Sequence, residues 1–120
     1  EIFAIVGDVK GKDCIIVDDI VDTAGTLCLA ANKLKELGAK RVFAAISHGV
    51  LSHPAIERIN NSSLEKLVIT DSIPLVEEKK SDKIEVLDMA PLFARIILAL
   101  EEGKSLSSVH RNFANEQYKK

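Results

Sequence analysis

Long apolar runs are missing from this chain: none approaches the ~20 residues of a membrane-spanning helix, so no membrane partner is expected. A strong charge of one sign is missing too. Sixteen Lys and Arg against eighteen Asp and Glu leave a formal net charge of -2, with no basic stripe to neutralise a nucleic-acid backbone, so no nucleic-acid partner is expected. Cysteine is limited to Cys14, in a strand pattern, and Cys28, in a helix pattern, without CxxC spacing. Both read as small buried hydrophobes in a reducing compartment. His53 precedes Pro54 and His110 lies near the tail, and neither has a partner at metal-ligand spacing. A signal-peptide pattern is absent and the first residue is Glu1, so the chain is expected to begin inside a longer, cytoplasmic product. Internal repeats and low-complexity tracts are absent as well.

What is present describes an ordinary soluble domain. At 120 residues, 47% apolar and 28% charged, the chain is one domain that buries roughly two-thirds of its unfolded surface without staples. Apolar runs alternate with helical stretches, the signature of an α/β fold with a mainly parallel sheet flanked by helices. Strands are expected at residues 3–6, 14–18, 41–47, 66–70 and 84–87. The polar stretch 7–12, with two glycines, predicts a tight turn and an antiparallel pairing of the first two strands. Over residues 24–37, Leu27, Ala30, Ala31, Leu34 and Leu37 recur at spacings of three and four, which predicts an amphipathic helix ended by Gly38. A shorter helix runs over 54–59, with Pro54 in its first turn. A third starts near Asp88 or Pro91, ends at Gly103 and is apolar around much of its circumference, so it is buried or packs on a partner. Residues 77–83 read as a solvated loop, and 112–120 as a polar tail that frays or forms a short terminal helix.

The chemistry concentrates in Ile15 to Thr26, IIVDDIVDTAGT. The apolar run 14–17 reads as a strand buried on both faces that ends at Asp18 and Asp19. Ligands of open α/β sheets bind outside the carboxyl ends of the strands. The turn from Asp22 to Thr26 then offers backbone N–H groups, two hydroxyls and a glycine that allows close approach, at the N-terminus of the next helix, where an anion is favoured. Carboxylates and a phosphate repel, so a site using both must assign them to different parts of one ligand, and a phosphorylated sugar provides that separation. Asp18 and Asp19 can accept hydrogen bonds from vicinal ribose hydroxyls, with Mg²⁺ moderating the crowded charge. Adjacent residues on an extended segment point to opposite sides, so at most one of the pair need face the sugar directly. The competing reading makes Asp22 or Thr23 a helix cap and leaves the aspartates to solvate a loop.

VDDIVDTAGT resembles the phosphoribosyl-pyrophosphate loop shared by type I phosphoribosyltransferases and the ribose-phosphate pyrophosphokinases, or phosphoribosyl pyrophosphate synthetases. The flanking strings VGDVKGK, RVFAAISHGVLSHPAIERIN, VITDSIP and GKSLSS resemble the synthetase family in the same order and at similar spacing, over residues 5 to about 109. The resemblance implies a type I phosphoribosyltransferase-like fold, with residues 1–111 as a carboxyl-terminal domain and 112–120 as the tail. It assigns Asp18 and Asp19 to the ribose and Asp22, Thr23, Ala24, Gly25 and Thr26 to the 5-phosphate of ribose 5-phosphate. The implied reaction transfers a pyrophosphoryl group from ATP to the anomeric hydroxyl, giving phosphoribosyl pyrophosphate and AMP for nucleotide biosynthesis. Mg²⁺ is the implied cofactor, and a homo-oligomer the implied assembly. Ser105, Leu106 and Ser107 resemble the family's regulatory site for phosphate or nucleoside diphosphates, and read equally as a serine-rich helix end.

The family's catalytic Lys and Arg loop, most of its ATP site and its main metal ligands precede the matched region, so no catalytic or metal-ligating residue is assigned here and this chain alone is expected to be inactive. Lys10 and Lys12 match the turn after the first strand, not the catalytic lysine. Ser47, His48 and Gly49, like Thr70 and Asp71, end predicted strands and so border the ligand side of the sheet; His48 either touches ligand or satisfies a loop carbonyl. A phosphoribosyltransferase would need a base-contacting segment beyond this core. A non-catalytic regulatory homologue would keep the loop and differ upstream.

Overall fold

Four strands, β1 (Asp13–Val21), β2 (Arg41–Gly49), β3 (Leu64–Thr70) and β4 (Ile84–Leu87), form one sheet in the order β1-β2-β3-β4, and every neighbouring pair is parallel. The structure is a computed structural model that describes residues 5–118. Two compact units divide the chain, Glu1–Leu87 with the sheet and Asp88–Lys120 without it.

In the first unit, α1 (Gly25–Glu36) joins β1 to β2 and α2 (Ala55–Asn60) joins β2 to β3. Parallel crossovers are right-handed, and both step in the same direction across the sheet, so both helices belong on one face. Burial follows this geometry. On the covered face Val42, Ala44 and Ile46 of β2 and Leu64, Leu67 and Ile69 of β3 meet Leu27, Cys28 and Ala31 of α1 and Ile59 of α2 in the core. On the other face of β1, Ile15 and Val17 remain 66% and 78% exposed. The expectation of a strand buried on both faces is therefore corrected. β1 is an edge strand of a sheet whose crossover helices cover one side, and only Cys14 and Ile16 of its apolar run pack against the core.

The helical periodicity of α1 holds, and its end is built as the sequence implies. Gly38, at φ +99, donates its N–H to Lys35 O at 3.0 Å, and Ala39 donates to Leu34 O at 3.1 Å, the paired bonds of a Schellman motif that needs a left-handed residue. Leu37 is exposed, outside the buried stripe.

Among the described residues, the antiparallel pairing expected for the segment 3–6 is not found. Phe3 and Ala4 lie outside the described residues, and Ile5 and Val6 are in no strand. The glycine-containing turn bonds to the α1–β2 corner: Gly11 N–H donates to Gly38 O and Lys40 N–H to Lys12 O, both at 2.8 Å.

At the start of the sheet Arg41 grips Asp13 across β1 and β2 through two bonds, Nε to Oδ1 at 2.9 Å and Nη2 to Oδ2 at 2.6 Å. That hydrogen bonding, with Arg41's charge behind it, holds the Asp13 carboxyl below its usual range. A depressed folded-state value contributes stability above the unfolded value and loses it as pH falls through the folded one. Arg41→Ala is expected to return the Asp13 titration to the ordinary carboxylate range, read from its side-chain NMR shifts against pH, and to flatten this part of the acid dependence.

The second unit is a helix pair, α3 (Ala90–Glu101) and α4 (Leu106–Tyr118). Gly103, at φ +67, closes α3 in the same way as Gly38 closes α1, with Lys104 N–H donating to Ala99 O at 2.8 Å. Arg95 pairs with Glu116 and lies over the Phe113 ring at 5.4 Å, which ties α3 to α4. In α3 only Ala99 is buried, while Phe93, Ile97, Leu98 and Leu100 are exposed. Helix α4 extends through residues 106–118, into the stretch read as a polar tail.

Candidate functional site

The acidic string sits differently from the sequence expectation in one respect: β1 does not end at Asp18 and Asp19 but runs on to Val21, with Ile20 opposite His48 and Val21 opposite Gly49. The apolar pair after the carboxylates continues the ladder. Strand alternation then separates the aspartates. Asp18 shares the side of Ile16 and Ile20 and lines a cleft of about 480 Å³, together with Asp22, Thr23, Ala24, Gly25 and Thr26. Asp19 is not part of that lining; its N–H donates to Asp18 Oδ1 at 2.8 Å.

After Val21 the chain reverses into α1, and the β2–α2 connection holds the reversal. Val50 and Leu51 donate their N–H groups to Val21 O at 2.9 and 3.3 Å. Ser52 N–H donates to Asp22 Oδ1 at 3.3 Å, and Arg58 Nη1 donates to Thr23 O at 3.2 Å. Ala24, the residue before α1, is buried and left-handed at φ +65. For a non-glycine residue this conformation costs of order 1 to 3 kcal/mol, so the surrounding bonds must over-determine it. Leu51, at φ +56 and fully packed, shows the same feature on the other side of the junction.

Ala24, at the N-cap of α1, makes no side-chain cap bond, and the first turn of the helix carries no acidic residue. Asp22 accepts from Ser52. The positive end of the α1 macrodipole suits an anion in the cleft. Asp18, at the other side of the same cleft, suits hydroxyl donors. Gly25 also has a neighbour on the protein side: a Cβ there would lie 3.1 Å from Arg58 Nη1, which would have to give by a few tenths of an ångström.

Within the first unit, His48, Thr70 and Asp71 do not line this cleft. His48 Nδ1 lies 2.7 Å from Ser72 Oγ, and Thr70 Oγ1 donates to Ser47 O at 2.6 Å, so these residues knit the ends of β2 and β3 together. Asp71 donates its N–H to Leu87 O at 3.1 Å. Ser105, Leu106 and Ser107 belong to the second unit, where Ser105 Oγ accepts the Ser108 N–H at 3.4 Å in the manner of a helix cap. Cys14 and Cys28 are free thiols. Burial pushes the Cys28 thiol up. Among the described residues no three His, Cys, Asp or Glu side chains gather as a metal cage, and two carboxylates line the cleft. The residues present form no closed protein cage for Mg²⁺, and no chemical step is assigned to the ion here. Also among the described residues, no helix is long and apolar enough to cross a membrane.

Residues 2–111 match the family model described as the phosphoribosyl synthetase-associated domain. The chain belongs to this synthetase family. It is 56% identical over 109 residues to a ribose-phosphate pyrophosphokinase of Caldanaerobacter subterraneus subsp. tengcongensis, a match covering 91% of this chain and 34% of that protein. It is 52% identical over 107 residues to the Bacillus subtilis ribose-phosphate pyrophosphokinase, covering 89% of this chain and 34% of that one. Among solved structures, it is similar to phosphoribosylpyrophosphate synthetase from Mycobacterium smegmatis, with a TM-score of 0.78 and 46% identity over 82% of this chain and 33% of that chain. The chain thus spans about a third of the length of the curated relatives it matches. Its parallel sheet flanked by helices is the type I phosphoribosyltransferase-like fold.

Sequence reasoning did not single out the residues that hold the synthetase turn from behind, Ser52 and Arg58. Both lie within RVFAAISHGVLSHPAIERIN, where only Ser47, His48 and Gly49 read as bordering the ligand side. Their contacts with the turn span 30 and 35 residues, which no local pattern states.

Proposed function

We propose that this chain supplies the ribose 5-phosphate site of a ribose-phosphate pyrophosphokinase, which transfers a pyrophosphoryl group from ATP to the anomeric hydroxyl and yields phosphoribosyl pyrophosphate and AMP for nucleotide biosynthesis. The observation that carries this reading is the cleft that Asp18 shares with the turn 22–26 at the start of α1, in a chain 56% identical over 109 residues to a protein of that name. The turn 22–26 presents N–H and hydroxyl donors to the 5-phosphate, and Asp18 accepts from a ribose hydroxyl, with Asp19 on the ribose side as its flank. Such a transfer is catalysed mainly by positioning and charge neutralisation, and this chain contributes the positioning. The cations that would neutralise the developing charge, with ATP and Mg²⁺, belong to the rest of a longer cytoplasmic protein. The same likeness extends the proposal to a homo-oligomer and to Ser105, Leu106 and Ser107 as a site for phosphate or nucleoside diphosphate regulators.

The proposal separates binding from turnover. The 120-residue chain is expected to bind ribose 5-phosphate and to form no AMP from ATP and ribose 5-phosphate. Thr26→Val, which keeps the side-chain shape but removes the hydroxyl, is expected to weaken binding by about 1 to 3 kcal/mol by calorimetric titration. Unchanged affinity would remove Thr26 from the cradle, and measurable AMP production would show that the catalytic groups are already present.

A further inference from the structure

We infer that Arg58 is a positioning residue for the anion-binding turn, acting from the side opposite the proposed ligand. The inference rests on the cradle reading and adds a residue that reading does not use. Arg58 lies on α2 and does not line the cleft of Asp18 and Thr26. It lines a second cleft of about 570 Å³ between α1 and α2, with Cys28, Asn32, Glu57 and Ser62, and Gly25 is the one residue that borders both clefts. Across this glycine the guanidinium reaches the turn. Nη1 donates to Thr23 O at 3.2 Å and stands 3.1 Å from where a Gly25 Cβ would be.

A planar trans peptide sets the N–H of one residue antiparallel to the carbonyl of the residue before it. Holding Thr23 C=O toward α2 therefore turns the Ala24 N–H away from Arg58. The bond also falls next to the left-handed Ala24, whose conformation is disfavoured for an alanine. The other braces on the reversal, from Val50, Leu51 and Ser52, grip Val21 and Asp22. Arg58 grips the next peptide, the one that leads into the helix N-terminus. Its fixed cationic fork gives a charge-assisted bond to a carbonyl, stronger than a neutral donor would make.

The test compares the full chain with Arg58→Ala, Arg58→Lys and a control, Glu57→Gln, which alters the same outer cleft without touching the turn. Each is titrated with ribose 5-phosphate and with inorganic phosphate, and amide hydrogen exchange is followed at Ala24, Gly25 and Thr26. Arg58→Ala is expected to raise both dissociation constants about three- to tenfold, to speed exchange at these amides, and to leave exchange in the β2 and β3 core unchanged. Arg58→Lys is expected to recover part of the loss, and Glu57→Gln to behave as the parent. If the parent binds and Arg58→Ala binds equally well with unchanged exchange, the positioning role is overturned while the cradle stands. If the parent binds neither anion, the cradle reading is overturned, and exchange at residues 24–26 still decides whether Arg58 holds the turn.

Discussion

Asp18→Asn is expected to weaken ribose 5-phosphate binding by about 1.5 to 3 kcal/mol, roughly ten- to a hundredfold, because the lost acceptor is charged. The substitution keeps size and shape, so a change in affinity reports the carboxylate. Asp18 is the carboxylate of the adjacent pair that lines the cleft, and Asp19 is not part of the lining. Asp19→Asn is therefore expected to have the smaller effect. Titration calorimetry on the two variants gives the order directly. An equal or larger loss at Asp19 would mean that the strand-side separation does not decide which carboxylate serves the ribose.

Leu67→Ala is expected to destabilise the sheet unit by about 2 to 5 kcal/mol, a large share of a small domain's stability. Leu67 is fully buried on β3, opposite Ala44 of β2 and Ile84 of β4, with the chain packed tightly around it. Truncation would leave a cavity that the ladders on both sides prevent from collapsing. Denaturant unfolding should show a lower midpoint with an unchanged slope. Val17→Ala serves as a contrast. With 78% of Val17 exposed, its truncation removes little buried surface and should shift the midpoint by only a few tenths of a kcal/mol. A loss at Val17 comparable with that at Leu67 would show that something covers that face.

Much of the sheet unit was legible because its signals are local. The spacing of Leu27, Ala31 and Leu34 marks α1, and Gly38 closes it by supplying a left-handed residue at the place the helix needs one. Residues 84–87 were read as a strand with the bounds that β4 has. The errors came where a partner decides. Ile20 and Val21 remain in β1 because His48 and Gly49 lie opposite them, a pairing no local pattern states. Apolar character on both sides of β1 predicted burial on both, yet coverage depends on where the crossover helices lie, which is a property of strand order.

The candidate site divides in the same way. The carboxylates and the Thr-Ala-Gly-Thr turn are contiguous and could be read as one string. The single-facing Asp18 follows from strand alternation, which the sequence already implied without saying which aspartate faces in. Ser52 and Arg58 were invisible as parts of the site because their contacts span 30 and 35 residues. Gly49 is a similar case: a Cβ there would stand 2.7 Å from Ile69 Cδ1, so a small residue is required by packing between strands that the linear sequence does not place together.

The central claim is that ribose 5-phosphate binds at the turn between β1 and α1. An NMR titration of the 120-residue chain with ribose 5-phosphate, following the backbone amides, addresses it most directly. Saturable shifts concentrated at residues 22–27, with a smaller response at Asp18 and with inorganic phosphate moving only the 22–27 group, are the predicted result. No saturable shift at residues 22–27, or saturable shifts confined to the helices of the second unit, would contradict it.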